Sequence, residues 1–201
     1  MSLSRPCFIA PLIFPEALFR VKTSEKTLCL TFDDGPDPQS TPVILNILDK
    51  MNVRALFFCS GYAAEKHPEL VDKIRQRGHV MGNHGYRHLN GYHTPASDYF
   101  SNAARASEFT SDYLFRPPYG KITIRQYRQL KKSFRIIFWD VMAYDFDKNF
   151  GAERSLSLLN RKIRPGSVIV LHDKPESTCM FFLKEFIETS LRRGYRFETE
   201  V

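Results

Sequence analysis

Short apolar runs alternate with amphipathic stretches over most of the chain, from Lys26 to the C-terminus. The apolar runs predict buried strands at residues 27–30, 53–59, 79–81, 113–115, 135–141, 168–171 and 195–197. Between them, apolar residues recur as on one face of a helix, which predicts helices at residues 42–48, 68–77, 95–110, 123–132, 153–162 and 180–192. This alternation predicts an α/β fold with a parallel sheet, either open or closed into a barrel.

The chain has 201 residues, which is the size of one domain. We assign residues 26–201 to that domain and residues 1–25 to an N-terminal arm packed on it. Pro11 and Pro15 interrupt the apolar stretch of the arm, and no small-residue cleavage site follows, so it does not resemble a signal peptide. The compartment stays open on the sequence. The alternatives are the cytoplasm for the chain as it stands, and the cell envelope or periplasm if a leader was removed upstream of Met1.

The composition narrows the function classes. The 29 Lys and Arg exceed the 22 Asp and Glu, for a formal charge of +7, and such a surface attracts anionic polymers and membranes. These basic residues are scattered and form no nucleic-acid-binding pattern. The four cysteines lack C-x-x-C spacing, which argues against a cysteine zinc site or a disulfide framework. No tract has the about 20 apolar residues of a transmembrane helix. The oligomeric state stays open.

Reactive polar residues follow the predicted strands rather than precede them. In parallel α/β folds the chemistry lies at the carboxyl ends of the strands, so these residues are expected to meet in one place. The candidates are Asp33, Asp34, His84, His88, Arg116, Asp140, Asp145, His172 and Asp173.

Two adjacent carboxylates, Asp33 and Asp34, stand at the tip of the first strand. Burial and mutual repulsion both disfavour two charged carboxylates there. A cation would relieve this cost by taking one carboxylate as a ligand, which would leave the other for acid–base chemistry. The alternative is a solvated turn, since Asp-Gly-Pro is common in turns.

Two histidines, His84 and His88, are four residues apart on a glycine-rich stretch. Together with Asp34 they would form a site with three protein ligands and one open position, the arrangement of catalytic zinc. The alternative is a pair of surface histidines, because H-x-x-x-H also occurs by chance. The other three histidines (His67, His79 and His93) have no such partner.

Two further segments carry candidate groups. Arg116 begins a rigid Arg-Pro-Pro-Tyr-Gly turn, and its guanidinium can hold a neighbouring carboxylate ionised. In the same turn, Tyr119 is the first residue after two prolines with a backbone N–H. His172 ends an apolar strand, where it could be a proton donor, a ligand or a core residue. Asp140 and Asp145 could each tune its imidazole.

Taken in order, these motifs resemble the polysaccharide deacetylases of the NodB-homology type, carbohydrate esterase family four. The matching segments are residues 31–36, 84–88, 116–120, the segment of Asp145 and residues 171–173. The resemblance implies a distorted (β/α) barrel, TIM-like but with fewer than eight strands. It implies a divalent metal, usually zinc, with cobalt or nickel as alternatives. The implied reaction removes N-acetyl groups from an amino-sugar polymer such as peptidoglycan or chitin and releases acetate.

The resemblance also implies roles for individual residues. The implied metal ligands are Asp34, His84 and His88. The implied catalytic groups are Asp33 as general base, Arg116 as its partner, the Tyr119 backbone N–H as half of an oxyanion hole, His172 as general acid and Asp145 as the group that tunes His172.

The sequence departs from the family pattern at two positions. Gly85 replaces the Ser or Thr that usually follows the first metal-binding histidine, and Phe146 replaces a usual Trp. Two other functions stay open on the sequence. One is a metal-dependent amidase that acts on a non-sugar amide, and the other is a non-catalytic metal-containing module that binds a polymer. The intact set of base, arginine partner and acid favours an enzyme.

Overall fold

The structure is a computed structural model that describes residues 4–201, so the first three residues of the predicted arm lie outside the described residues. The strands are β1 (Thr27–Asp33), β2 (Leu56–Cys59), β3 (Val80–Asn83), β4 (Leu114–Phe115), β5 (Arg135–Ile136), β6 (Val141–Met142), β7 (Ser167–His172) and β8 (Arg196–Phe197). The helices are α1 (Ala10–Ile13), α2 (Thr41–Lys50), α3 (Gly61–Lys66), α4 (Pro68–Gln76), α5 (Ala96–Ser107), α6 (Ile124–Leu130), α7 (Ala152–Lys162) and α8 (Cys179–Arg192).

All strand pairs of the sheet are parallel, and the strand order is β5-β4-β3-β2-β1-β7-β6. The short β8 lies outside this path and pairs with the start of β1. Seven strands therefore form a curled, incomplete barrel with helices around it. The predicted distorted (β/α) barrel with fewer than eight strands is confirmed.

The central strand β1 places the candidate residues. All seven of its residues are buried, because β2 and β7 flank it and helices cover its outer side. In the register of the sheet, Asp33 lies opposite Phe58 on one side and His172 on the other. The carboxyl ends of three neighbouring strands thus meet at one edge of the sheet. Of the described helices, none is long and apolar enough to cross a membrane.

Residues 18–21 lie between β5 and β7. The Leu18 N–H donates to the Ile136 carbonyl at 2.9 Å, and the Phe138 N–H donates to the Leu18 carbonyl at 2.7 Å. On the other side, the Val21 N–H donates to the Gly166 carbonyl at 2.9 Å. This stretch supplies backbone hydrogen bonds between two parts of the sheet that do not pair with each other.

The structure corrects one predicted strand and adds two helices. The single strand predicted at residues 135–141 is wrong, because the chain forms β5 and β6 with an interruption between them. In the interruption Ile137 pairs with Leu18 of the arm, and the Asp140 carboxylate accepts hydrogen bonds from Arg164 and Ser167. The added helices are α1, in the predicted arm, and α3, and both are too short to carry a clear amphipathic pattern.

Candidate active site

Asp33 and Arg116 form a buried ion pair at the end of β1. Arg116 Nη1 donates to Asp33 Oδ1 at 2.7 Å, and it also donates to Thr31 Oγ1 at 2.6 Å. The guanidinium is completely buried and lies over the Phe58 ring, 4.0 Å from its centroid. Asp33 Oδ2 is free of this pair and lies 4.0 Å from His84 Nε2. One oxygen of Asp33 is therefore held while the other faces the histidines.

Asp34, His84 and His88 converge on one point. Asp34 Oδ1 lies 3.6 Å from His84 Nε2 and 3.1 Å from His88 Nε2, and all three ligand atoms are within 4.8 Å of one another. Ligands about 2.0–2.1 Å from a tetrahedral ion are about 3.3 Å apart, so these separations fit a divalent ion such as zinc. Two imidazoles and one carboxylate are also a donor set that such ions prefer.

The tautomer of His84 suits ligation. His84 Nδ1 lies 2.8 Å from the backbone carbonyl of Arg116, which can only accept, so Nδ1 carries the proton and the lone pair of Nε2 faces Asp34. Burial lowers the pKa of His84 to about 4, despite the opposing effect of the nearby carboxylates. The imidazole is therefore neutral at pH 7, the form that binds a metal.

Asp34 is held as a carboxylate. Burial would raise its pKa, but the hydrogen bond with His88 and the positive charges of neighbouring groups, among them Lys174, hold the pKa well below its usual range. Lys174 Nζ lies 2.9 Å from Asp34 Oδ2, the oxygen that does not face the histidines. The backbone at Asp34 has a positive φ of 81°, which breaks the alternation of an extended strand, and both carboxylates lie near His84 Nε2, Asp33 Oδ2 at 4.0 Å and Asp34 Oδ1 at 3.6 Å.

The loop of the two histidines is stabilised by asparagines instead of a hydroxyl at position 85. Gly85 has a φ of +76°, and a Cβ there would lie 2.6 Å from Asn102 Nδ2. Asn83 Oδ1 accepts from the Gly85 N–H at 2.8 Å. Asn102 accepts from the Arg87 N–H and donates to the Arg87 carbonyl. The departure at Gly85 therefore has a structural reason, because Asn102 occupies the space that a side chain would need.

His172 pairs with Asp145, and Asp140 lies elsewhere. His172 Nδ1 lies 2.9 Å from Asp145 Oδ1, while Asp145 Oδ2 accepts from the His172 N–H at 2.7 Å and from the Ser177 hydroxyl at 2.6 Å. Burial would lower the pKa of His172, but the Asp145 carboxylate outweighs it and raises the pKa to about 9. His172 is thus an imidazolium at pH 7. The Asp140 carboxylate instead accepts hydrogen bonds from Arg164 and Ser167.

Tyr119 presents both its backbone and its ring to the cleft. Its φ of 59° lies in the left-handed region, and its N–H donates to no group within residues 4–201. Its ring packs edge-on against His88, with the ring centroids 4.2 Å apart. Phe146, the other departure from the family pattern, packs edge-on against His172 at 4.9 Å. Both aromatic rings are about half exposed, so they flank the site from two sides.

These groups line a cleft of about 640 Å³. Its walls are formed by Asp33, Asp34, His84, His88, Pro117, Tyr119, Gly120, Lys121, Trp139, Met142, Phe146, His172 and Lys174. Arg116 and Asp145 lie behind this surface and contact its members. The eight residues to which the resemblance gives a role as metal ligand or catalytic group are thus in or directly behind one cleft, whereas the candidate Asp140 is not. The other histidines are not part of its lining, and His79 is used in the core, where its Nδ1 accepts from the Ala55 N–H.

Sequence patterns did not identify several residues of the site. Thr31 accepts a hydrogen bond from Arg116, but a buried threonine in a strand carries no recognisable pattern. Trp139 and Lys174 also line the cleft. The position of Lys174 after a predicted strand could have indicated this, but Trp139 falls inside the strand predicted at residues 135–141. Asp173 was a candidate from the sequence, but it lies behind Gly35, where it accepts hydrogen bonds from the hydroxyls of Ser40 and Thr41, and burial raises its pKa to about 7.

Comparisons with known proteins identify the family. The polysaccharide deacetylase family pattern matches residues 20–135. A peptidoglycan-N-acetylglucosamine deacetylase of Bacillus cereus is 37% identical over 155 residues, which cover 74% of this chain and 56% of that protein. The chain therefore spans little more than half of that relative. A peptidoglycan-N-acetylmuramic acid deacetylase of Bacillus subtilis is 26% identical over 194 residues, 92% of this chain and 73% of that protein.

A solved structure gives the same result. The crystal structure of the peptidoglycan N-acetylglucosamine deacetylase Bc1960, in complex with 4-naphthalen-1-yl-N-oxidanyl-benzamide, superposes with a TM-score of 0.85. It is 32% identical in sequence, and the match covers 91% of this chain and 90% of that one. The chain belongs to the polysaccharide deacetylase family.

Proposed function

We propose that this protein is a divalent-metal-dependent deacetylase that hydrolyses the N-acetyl group of an amino sugar in a glycan and releases acetate. The observation that carries the proposal is that the adjacent residues Asp33 and Asp34 have different partners. Asp34 faces two histidines with ligand geometry, whereas Asp33 is held by Arg116 with one oxygen free. The relatives named above support an acetylated amino sugar as the substrate, in peptidoglycan or in a chitin-like polymer.

The metal ligands would be Asp34, His84 and His88, and we propose zinc as the ion, with cobalt or nickel as alternatives. When bound, the ion would lower the pKa of a coordinated water and polarise the carbonyl of the acetyl group.

Asp33 would act as the general base. Its Oδ1 is fixed by the guanidinium of Arg116, and its Oδ2 faces the proposed metal ligand His84. It accepts the proton of the attacking water as the water oxygen bonds to the carbonyl carbon. Because the Asp33 side chain is already anchored in the buried ion pair, the base is oriented before the substrate binds.

Tyr119 and His172 would act on the two ends of the breaking amide. The free backbone N–H of Tyr119 is positioned to donate to the oxygen that becomes negative in the tetrahedral intermediate. His172 is protonated through its pairing with Asp145, and it gives its proton to the nitrogen as the carbon–nitrogen bond breaks. An amine leaves an amide only when protonated, so this step needs an acid. The products are acetate and the free amino sugar.

Acetate release tests this function. The purified protein is incubated with a chitin oligomer and, separately, with peptidoglycan, each with and without a chelator. We expect acetate from at least one glycan and none after chelation, with recovery when zinc is restored. Acetate from non-sugar amides alone would favour the amidase. A protein that binds glycan but releases no acetate with any metal would be a binding module, and either result would contradict the proposal.

A further inference from the structure

Two lysines lie at the cleft and carry charge that hydrolysis of a neutral amide does not use. Lys121 follows Tyr119 and Gly120 on one wall, and Lys174 follows His172 and Asp173 on another. The Lys121 ammonium lies 5.9 Å from the centroid of the Tyr119 ring, which itself packs on His88. The Lys174 ammonium lies 2.9 Å from Asp34 Oδ2. The Lys174 ammonium therefore contacts one proposed metal ligand directly, and the Tyr119 ring lies between the Lys121 ammonium and another, His88.

The carboxylates of the cleft cannot neutralise both lysines. Among the residues that line it, only Asp33 and Asp34 are acidic, and Asp33 is already paired with Arg116. Asp34 uses Oδ1 toward the histidines and Oδ2 toward Lys174. In the described part of the chain Lys121 has no carboxylate partner. A divalent ion at the histidines would add further positive charge, so the loaded cleft has an excess of cations.

Both lysine heads can still donate hydrogen bonds to a ligand. An ammonium has three donors, and Asp34 uses one of those of Lys174. The Lys174 side chain is 46% exposed, so its remaining donors face water or substrate. Excess positive charge in a concave site concentrates anions and favours a ligand that carries one.

We propose that Lys121 and Lys174 form a carboxylate-binding subsite, so that the preferred substrate is a glycan whose sugar rings carry a carboxylate close to the N-acetyl group. This inference rests on the proposed deacetylase function and names the class of sugar it acts on. A lactyl ether of the kind found on muramic acid has this chemistry. Unsubstituted N-acetylglucosamine polymers lack it.

The test compares two forms of one substrate. Peptidoglycan glycan strands freed of stem peptides carry lactyl carboxylates, and methyl esterification neutralises these without changing the rest of the strand. We expect wild-type kcat/KM for acetate release to be about threefold to tenfold higher on the free acid than on the ester at low ionic strength, the range of a few partly exposed ion pairs. High salt should reduce this ratio. The double variant K121M/K174M should bring it to about one.

The ratio of two substrates isolates charge recognition from metal loading. Lys174 contacts Asp34, so its substitution can change metal occupancy, but occupancy affects both substrates equally and cancels in the ratio. K184M, which removes an exposed lysine on α8, serves as the matched control and should keep the wild-type ratio. The Kd of both strands for the D33N protein gives the same comparison without turnover.

The outcomes distinguish a failure of the carboxylate-binding subsite from a failure of the deacetylase function. A ratio in K121M/K174M equal to that of wild type would overturn the subsite, as would a preference that appears only with peptide-bearing strands. Failure to release acetate from every glycan, including a neutral chitin oligomer, would instead overturn the deacetylase function.

Discussion

Arg116 Nη1 and Asp33 Oδ1 are 2.7 Å apart, and the pair lies at the carboxyl end of the central strand with almost no exposure to solvent. Arg116 also supports the proposed metal site, because its backbone carbonyl lies 2.8 Å from His84 Nδ1. One residue thus orients both the proposed base and a proposed ligand. The side chain acts on the first and the backbone on the second.

We predict that R116A loses about 3–5 kcal/mol in its free energy of unfolding, because it leaves the Asp33 charge buried without a partner. Urea unfolding of the metal-free protein measures this. The exposed Arg125 provides a control, and R125A should change stability by less than about 0.5 kcal/mol. A loss of under about 1 kcal/mol in R116A would mean that Asp33 does not depend on this ion pair.

Metal affinity should depend on the two site histidines. Loss of a group that only supports a ligand typically costs about 10–100-fold in affinity, so H84A and H88A should each lose at least about 100-fold for zinc. Calorimetric titration of chelator-treated protein gives the two Kd values. H93A removes an exposed histidine outside the cleft and should bind zinc as wild type does. Unchanged affinity in either site variant would exclude that residue as a ligand.

The alkaline limb of the pH profile should report His172. An acid must be protonated to act, so kcat should be retained below the His172 pKa of about 9 and fall as the pH rises through that value. D145N removes the carboxylate that raises the pKa of His172, while the burial that lowers this pKa remains. The alkaline limb of the kcat profile should therefore move to lower pH by at least about one unit. D147N changes a nearby exposed aspartate and should leave the limb in place. If the alkaline limb of D145N stays where it is in wild type, Asp145 does not set the pKa of the general acid.

Position 85 should require glycine for two reasons: its backbone has a positive φ, and a Cβ there would collide with Asn102. G85A combines a φ of +76° with a Cβ that lies 2.6 Å from Asn102 Nδ2. G194A, just after the end of α8, has a similar φ of +79°, and the nearest atom to the added Cβ is Lys26 Cδ at 3.9 Å, so it measures the backbone cost without crowding. We predict that thermal unfolding shows a loss of about 1 kcal/mol for G194A and clearly more for G85A. Equal losses would mean that Asn102 moves aside freely.

Much of the fold was predictable because strand and helix periodicities are local properties of the sequence. The central strand and its buried neighbour, β7, appear as continuous apolar runs, and their polar ends mark the active edge. The division of residues 135–141 was not predictable, because it depends on Leu18, a residue far away in the chain that pairs with Ile137. Local patterns contain no information about such a partner.

The same rule decides which parts of the active site could be predicted from the sequence. Histidine and aspartate pairs are visible in the sequence because their spacing is local. From the residues alone the choice between Asp140 and Asp145 stays open, although the resemblance implies Asp145; the structure gives the physical reason, because Arg164 and Ser167 already use the Asp140 carboxylate. Lys174 was not recognisable for a similar reason. Its importance comes from its distance to Asp34, which the sequence does not state.

The central claim is that adjacent aspartates have different tasks, and one paired measurement tests it most directly. Zinc content and acetate release are determined side by side for D33N and D34N, with the glycan that wild type hydrolyses. The account predicts that D33N keeps its zinc and loses turnover by about 100-fold or more, whereas D34N loses the zinc itself. Full activity in D33N, or full zinc occupancy in D34N, would contradict it.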